Sequence, residues 1–519
     1  MCVIRFPPRP AEAFCMGLFQ LQVPDEIRDD LSRRVEESVY FCGMDGKPWQ
    51  TQSSFKDGRL NVQIKTESSG KLYVLWPVKE LGTRLLSTCT LATSSDKQFH
   101  LLLELARGSC YRARTLGDGW QRLGIPPNDS FNQHLQDGTA YFLNALKKQD
   151  CPSEATEEAI NAIAQLERAL DLLAEDYAKR SIDNRKQKEP KLGTLLAGSL
   201  FTLDSDETAS QSIPSQELFL QTFNAAAVQF RWAELEKRSG EFDFARLVPI
   251  VSDCQKAGIK TIGGPLIDFK KELLPDWILE DENDFDSLQH FALNYVERTV
   301  SRLRGTVQLW NCMSGINNDG PIPMDDEQIM RLSLAILQKV RGADPETPAI
   351  ISFDQPFGEY LRRPNRGIPA MKVAETLIRS GLGIAGVGLD IKLNYDQYGT
   401  MPRSAIDFSQ NLDSWGSLGV PLLVQLSAPG AIDSDAHAIQ NLSIVEDSAT
   451  SETAGDSQLR DIRPLLQILL AKPYVHGIVW NGWADHAPHL LPNSGLVDQQ
   501  RQPRPLQRHL AELRELHLM

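Results

Sequence analysis

Near the N-terminus, apolar and polar residues alternate in two stretches, Gly17-Leu18-Phe19-Gln20-Leu21-Gln22-Val23 and Leu60-Asn61-Val62-Gln63-Ile64. A period of two places the apolar set on one face of a half-buried strand. Ser68-Ser69-Gly70 supplies a turn, and the run Leu72-Tyr73-Val74-Leu75-Trp76 that follows reads as a strand covered on both faces. Together these predict a small β-rich, sandwich-like domain over residues 16–125, a shape common among carbohydrate-binding modules that does not itself confer binding. Phe99 to Arg107 reads equally as strand or helix. Over 153–178 the period becomes helical: Ile160, Ile163, Leu166, Leu170, Leu173 and Tyr177 form one stripe behind Ser153, Glu154, Glu157 and Glu158, which suit a helix start. A second helix over 131–147 completes a helical hairpin spanning 126–190, ended by the basic run Arg185 to Lys191, read as a solvated linker.

From 191 to 519, strand and helix patterns alternate. Apolar runs near 195–201, 223–230, 260–267, 306–312, 349–353, 384–391, 421–426 and 475–480 are separated by amphipathic segments such as 285–304. Eight such units predict a closed (β/α)8 TIM barrel in an α/β chain. A doubly wound sheet is the competing architecture, but no Gly-rich phosphate loop follows the first strand. Barrel chemistry sits just past the C-terminal ends of the strands. That rule selects Asp204, Asn224, Trp232, Asp268, the run Asn311 to Gly315, Asp354, Asp390, Lys392, the run Gln425 to Ser427, and the run Trp480 to Asp485.

Composition narrows the partners. The 519 residues carry a net charge of −14, which argues against nucleic acid, because phosphate neutralisation needs a cationic surface. No apolar run approaches a membrane span. Residues 1–15 form a tail with Pro7-Pro8-Arg9-Pro10 where a signal peptide needs an apolar core, and Met16 is an alternative start, so a cytoplasmic location is expected. The eight cysteines lack any C-x-x-C pair and read as reduced thiols. Asp485-His486-Ala487-Pro488-His489 offers three metal-capable groups, but Pro488 blocks the helical spacing of a zinc motif; no metal and no cofactor is expected.

Several strand-end fragments over about 195–515 resemble glycoside hydrolase family 10, the xylanase-type β-glycanases. They are Phe223-Asn224 with Arg231-Trp232 and Gly240-Glu241-Phe242-Asp243-Phe244; Leu274-Pro275-Asp276-Trp277; Gly386-Val387-Gly388-Leu389; Leu418-Gly419-Val420-Pro421; Gly477 to Asp485; Gly495-Leu496-Val497-Asp498; and Pro503-Arg504-Pro505. The resemblance implies a (β/α)8 barrel and an oligosaccharide or polysaccharide ligand.

The departures fall on the chemistry. Where the family's fourth strand ends in Trp-Asp-x-x-Asn-Glu, this chain has Trp310-Asn311-Cys312-Met313-Ser314-Gly315, so Gly315 stands at the acid/base position. Where the seventh strand ends in Thr-Glu, this chain reads Val424-Gln425-Leu426-Ser427, with Leu426 aligned to the nucleophile. The family's Gly-His becomes Gly263-Gly264, and its Gln-x-His becomes Asp390-Ile391-Lys392. Retaining hydrolysis needs two carboxyls ~5 Å apart, and neither glycine nor leucine supplies one. The expectation is a pseudoenzyme that holds a saccharide or serves as a scaffold, with unknown protein partners. The alternative is a divergent O-glycosyl hydrolase using Asp268, Asp354 or Asp390. Ligand-binding candidates are Asn224, Trp232, Trp310, Asn311, Lys392, Gln425, Trp480, Trp483 and Asp485, the tryptophans for stacking on sugar rings. For Trp277 packing is favoured. Residues 429–457, rich in Ser, Ala, Asp and Glu, suggest a mobile or disordered loop over the mouth.

Overall fold

A computed structural model describes residues 17–24, 37–43, 46–56, 58–93, 98–201, 217–280, 284–317, 320–363, 367–396, 398–445 and 453–519. The N-terminal tail and Asp204 lie outside the described residues. The chain divides into two compact units, one N-terminal and one built mainly from Leu170–Tyr360 and Gly367–Met519.

In the N-terminal unit the alternating stretches Gly17–Gln22 and Arg59–Ile64 pair antiparallel, and a four-stranded sheet forms around them with Thr51–Lys56 and Gln98–His100. A second sheet holds Tyr40–Cys42, Gly70–Val78 and Gly82–Leu91. Phe19 of the first meets Phe41 of the second with ring centroids 4.1 Å apart, so the apolar faces close on each other as a small sandwich. The run 72–76 is not covered equally on both sides. Leu72, Val74 and Trp76 are buried while Tyr73 and Leu75 are half-buried, because only one face looks into the sandwich.

The ambiguous segment after Phe99 is a helix, Leu101–Arg122. His100 caps it by accepting a hydrogen bond from the Leu103 N–H. Gly108 is required here, since a Cβ would stand 1.8 Å from the Ser87 carbonyl oxygen of the neighbouring strand. The helices Asp129–Lys147 and Pro152–Lys188 follow in the span where two helices were expected, so Leu101–Arg122 is an additional helix ahead of them. The basic run is not a linker: Arg185, Lys186 and Lys188 form the last turn of the 37-residue third helix, where cations oppose the helix dipole. The buried Glu167 accepts from the Ser109 hydroxyl at 2.7 Å and lies 3.7 Å from Arg112.

In the second unit, eight parallel strands close a barrel in chain order: Leu195–Leu200, Ala225–Val228, Lys260–Gly263, Leu309–Asn311, Ala349–Asp354, Gly386–Lys392, Leu422–Ser427 and Val475–Trp480. All eight fall on the apolar runs of the sequence. Seven of them are almost wholly buried because helices cover the outside while side chains fill the inside. The interior floor is apolar: Ala197, Ala225, Ala227, Ile262, Ile350, Leu423 and Val479. Outside, the helix Phe285–Leu303 buries Leu288, Tyr295, Val296 and Val300, one stripe of its helical period. Among the described residues, no helix is long and apolar enough to cross a membrane.

Candidate functional site

Above the apolar floor, the inward positions of the strands turn polar. Alternation fixes which residues these are. On the fifth strand Ile350 lies in the floor, so Ser352 and Asp354 face inward above it; on the seventh Leu423 does, so Gln425 and Ser427 follow. Gln425 donates to the Ser352 hydroxyl at 3.1 Å, and Ser352 donates to Asn311 Oδ1 at 3.0 Å. On the neighbouring side, Gln229 donates to Ser199 at 3.1 Å.

This parity corrects the placement at the seventh strand. Leu426 is fully buried on the helix-facing side, and the residue presented to the barrel interior is Gln425. Glutamine has the shape of glutamate without its charge, so the inward position still lacks a nucleophile. At the fourth strand Gly315 has φ +73°, and a Cβ there would sit 2.9 Å from Asp268 Oδ1. The backbone favours glycine, and the Asp268 carboxylate fills the space a side chain would need.

The rim is an alternating chain of buried charges. Lys270 Nζ lies 2.8 and 2.7 Å from the two Asp268 oxygens and 3.4 Å from Asp354. Lys392 Nζ lies 3.2 Å from the other Asp354 oxygen and hydrogen-bonds Asp390, which also accepts from Asn481 at 3.4 Å. The order is Asp268, Lys270, Asp354, Lys392, Asp390, Asn481, every member buried, with Asp354 at 0% exposure and Asp268 at 8%. Burial pushes the Asp354 carboxyl up, but the two ammonium groups outweigh it and hold it well below the usual range. Burial, aided by Asp354, pushes Asp390 up to about 6. Asp268 is likewise raised by burial. Burial works to lower Lys270, yet three facing aspartates drive it far up, so it stays charged. Three carboxylates against two ammonium groups leave one excess negative charge, and Asp390 is the group best placed to take a proton.

Loops close over this rim. Leu273, Tyr395, Leu442, Leu490 and Leu491 form a buried apolar cluster from the loops after strands three, six, seven and eight, with Phe201, Tyr398 and Ile444 against it. Described residues of the segment 429–457 are pinned, not loose: Ile439 and Gln440 donate from their backbones to His489 and Leu490, and Val445 donates to Asn394. Residues 446–452 lie outside the described residues.

The tryptophans do not ring an open mouth. Trp232, Trp310, Trp480 and Trp483 are 0–3% exposed. Trp310 Nε1 donates to Asp344 at 3.0 Å, Trp480 Nε1 donates to the Ser494 carbonyl at 2.9 Å, and Trp232 stacks on Tyr295. Trp483 meets Phe219 and Phe223 edge-on. Half-buried Trp277 donates to the Glu236 carbonyl at 2.9 Å. The four buried indoles find their partners within the protein fabric and leave no face for a sugar. Asn224 lies at the opposite, N-terminal end of the barrel: it accepts from the Leu196 N–H and donates to the carbonyls of Thr194 and Met519.

Asp485 is also outside the rim. It pairs with Arg504 at 2.5 Å, accepts from the Gly495 N–H, and stands 3.4 Å from His489, which lies 2.9 Å from Asp435. The ligand-type atoms of Asp435, Asp485 and His489 lie within 4.8 Å of one another. A divalent ion there would face the Arg504 guanidinium, which already pairs with Asp485.

Sequence reasoning found Asp268, Asp354, Asp390, Lys392 and Gln425 but overlooked Lys270. A signal was available: Asp268-Phe269-Lys270 and Asp390-Ile391-Lys392 share an Asp-x-Lys spacing that puts both charges on one side of an extended chain.

No family model and no curated protein matches the chain. Among solved structures, it is similar to xylanase 10B of Thermotoga petrophila in complex with xylobiose, at 15% identity over 64% of this chain and 97% of that one, TM-score 0.46. Native xylanase 10B of Thermotoga maritima gives 14% over 64% and 98%, TM-score 0.47, and a thermostable xylanase mutant from Cellvibrio japonicus 18% over 62% and 97%, TM-score 0.45. By its own strand order the chain is a (β/α)8 barrel, preceded by a small β-rich unit, and similar to the family 10 glycoside hydrolases.

Proposed function

We propose that this barrel is a non-catalytic member of the xylanase-like architecture and acts as a structural or interaction scaffold. The observation that carries the reading is the buried chain Asp268, Lys270, Asp354, Lys392, Asp390 across the strand tips where a glycosidase keeps an open cleft. Retaining and inverting mechanisms both need a gap of ~5–10 Å between carboxyls to admit sugar or water. Here Asp354 and Asp390 lie within hydrogen-bond reach of each other with the Lys392 ammonium bridging both, so no such gap separates them, and an apolar cover lies above. Gly315 and Gln425 hold no acid to replace them. The buried tryptophans weigh against the saccharide-holding form of the same reading.

A divergent hydrolase is the second reading. It is favoured by the opposite displacement of two neighbouring carboxyls, Asp390 upward and Asp354 downward, as in an acid and its partner base. It fails on access, since both are ion-paired under the cover.

Calorimetry with xylo-, gluco- and manno-oligosaccharides beside an aryl-glycoside assay tests the choice. The scaffold predicts neither heat nor turnover. Turnover abolished by Asp390→Asn establishes the divergent hydrolase, and heat without turnover establishes a saccharide holder.

A further inference from the structure

The cover is joined at one imidazole. His489, 2% exposed, lies on the loop after the eighth strand and faces the loop after the seventh. Its Nδ1 is 2.8 Å from the Ala487 carbonyl oxygen, and its Nε2 is 2.9 Å from Asp435 Oδ2 and 3.4 Å from Asp485 Oδ1. A carbonyl and a carboxylate only accept hydrogen bonds, so both ring nitrogens must carry protons to satisfy this geometry. A neutral ring, in either tautomer, sets a bare nitrogen against an acceptor.

We propose that the His489 imidazolium is a proton-operated latch that holds the loops after strands seven and eight together over the barrel mouth. Protonated, it completes a balanced set: Asp435 and Asp485 against His489 and Arg504. Deprotonated, it leaves one uncompensated charge in a buried place, which is costly. The joint it controls is extensive. The His489 N–H donates to the His437 carbonyl, Gly430 donates to Asn493, and the Asn493 N–H donates to Asp435. Through it Leu442, Leu490 and Leu491 reach the apolar cluster of the cover.

The groups facing the ring come from four segments. Asp435 and the exposed His437 lie on the seventh-strand loop, with Asp433 holding Asn493 through its carbonyl. Asp485 and His486 lie on the eighth-strand loop. Arg504 approaches from the segment before the C-terminal helix, and Tyr395, whose hydroxyl donates to the Pro492 carbonyl, comes from the sixth-strand loop. Burial alone would lower His489, but the Asp435 hydrogen bond and the Asp485 charge raise it above its usual range, and Asp435 is held down at about 2. With the folded value raised, the latch is complete below the ordinary histidine range and is lost as pH rises through the folded value. The inference concerns the cover alone and stands whether or not the barrel beneath takes a ligand.

The test is a proton NMR titration of the His489 ring in the full chain, with hydrogen exchange of 436–445 and 486–495 read against the barrel strands. The expected midpoint lies above ~6.5, and exchange in the cover, corrected for its intrinsic pH dependence, speeds up by up to about tenfold per pH unit above that midpoint. In His489→Gln the cover exchanges fast at every pH, and in Asp435→Asn the midpoint falls. A ring already neutral at pH 6 overturns the latch, and this holds even where neither variant folds. Cover exchange in the parent that is unchanged between pH 6 and 9 overturns it equally.

Discussion

Replacing Lys392 by methionine tests the closed mouth most directly. The lysine side chain is 1% exposed and lies between Asp354, at 0%, and Asp390, at 6%. Methionine keeps the length and removes the charge, leaving two buried carboxyls with only Lys270 nearby. Removing one partner of a buried pair costs about 3–5 kcal/mol, because the remaining charge is stranded away from water. The carboxyls can escape by taking up protons, at about 1.4 kcal/mol for each pH unit by which a group is forced to protonate. The deficit should therefore be largest near pH 8 and shrink towards pH 5, where Asp390, at about 6, is already mostly protonated. Lys392→Met/Asp390→Asn should recover part of the loss, since the amide removes the excess charge and keeps the shape. Six of the nine tryptophans lie in the barrel, so urea unfolding followed by indole fluorescence reads this transition. A constant slope would assign the midpoint shift to stability. A loss below about 1 kcal/mol that does not vary with pH is the behaviour of a solvated ion pair, and it would refute the sealed mouth.

Restoring acids should not restore chemistry. Gly315→Glu/Gln425→Glu should hydrolyse no aryl xyloside and should cost about 1–3 kcal/mol in urea from the forced positive φ, since the new side chain at 315 meets Asp268. Leu491→Ala, at a fully buried position of the cover, should cost about 2–5 kcal/mol and raise hydrogen exchange over 438–445; an unchanged exchange pattern would mean the cover does not depend on this cluster. Asp390 is raised in the folded state, so its contribution is present below the ordinary aspartate range and is lost as pH climbs through about 6. Asp354 is depressed and acts in the opposite sense at acid pH. Stability should fall between about pH 4 and 6 in the parent and stay flatter in Asp390→Asn, as followed by thermal unfolding across buffers.

The barrel was legible because parallel strands buried on both faces leave unbroken apolar runs, and eight of them alternate with amphipathic helices. The same property hid the seventh-strand register. Where both faces are apolar, nothing local says which of Gln425 and Leu426 faces inward, and only the floor residue Leu423 two places back decides it. The tryptophans misled for a related reason: an indole at a strand end satisfies either a sugar or a neighbouring carbonyl, and the partners of Trp310 and Trp480, Asp344 and Ser494, lie 34 and 14 residues away.

Sequence alone determined the architecture and the absence of an acid at Gly315, because these follow from periodicity and residue chemistry at single positions; it offered Asp268, Asp354 and Asp390 for the rim but Asp485 beside them, which the structure places elsewhere. Tertiary structure decided that the rim is sealed. Charge pairing among Asp268, Lys270, Asp354, Lys392 and Asp390 spans three strand ends, and the cover joins loops from four. Whether such groups meet each other or meet solvent depends on distances that chain order does not encode.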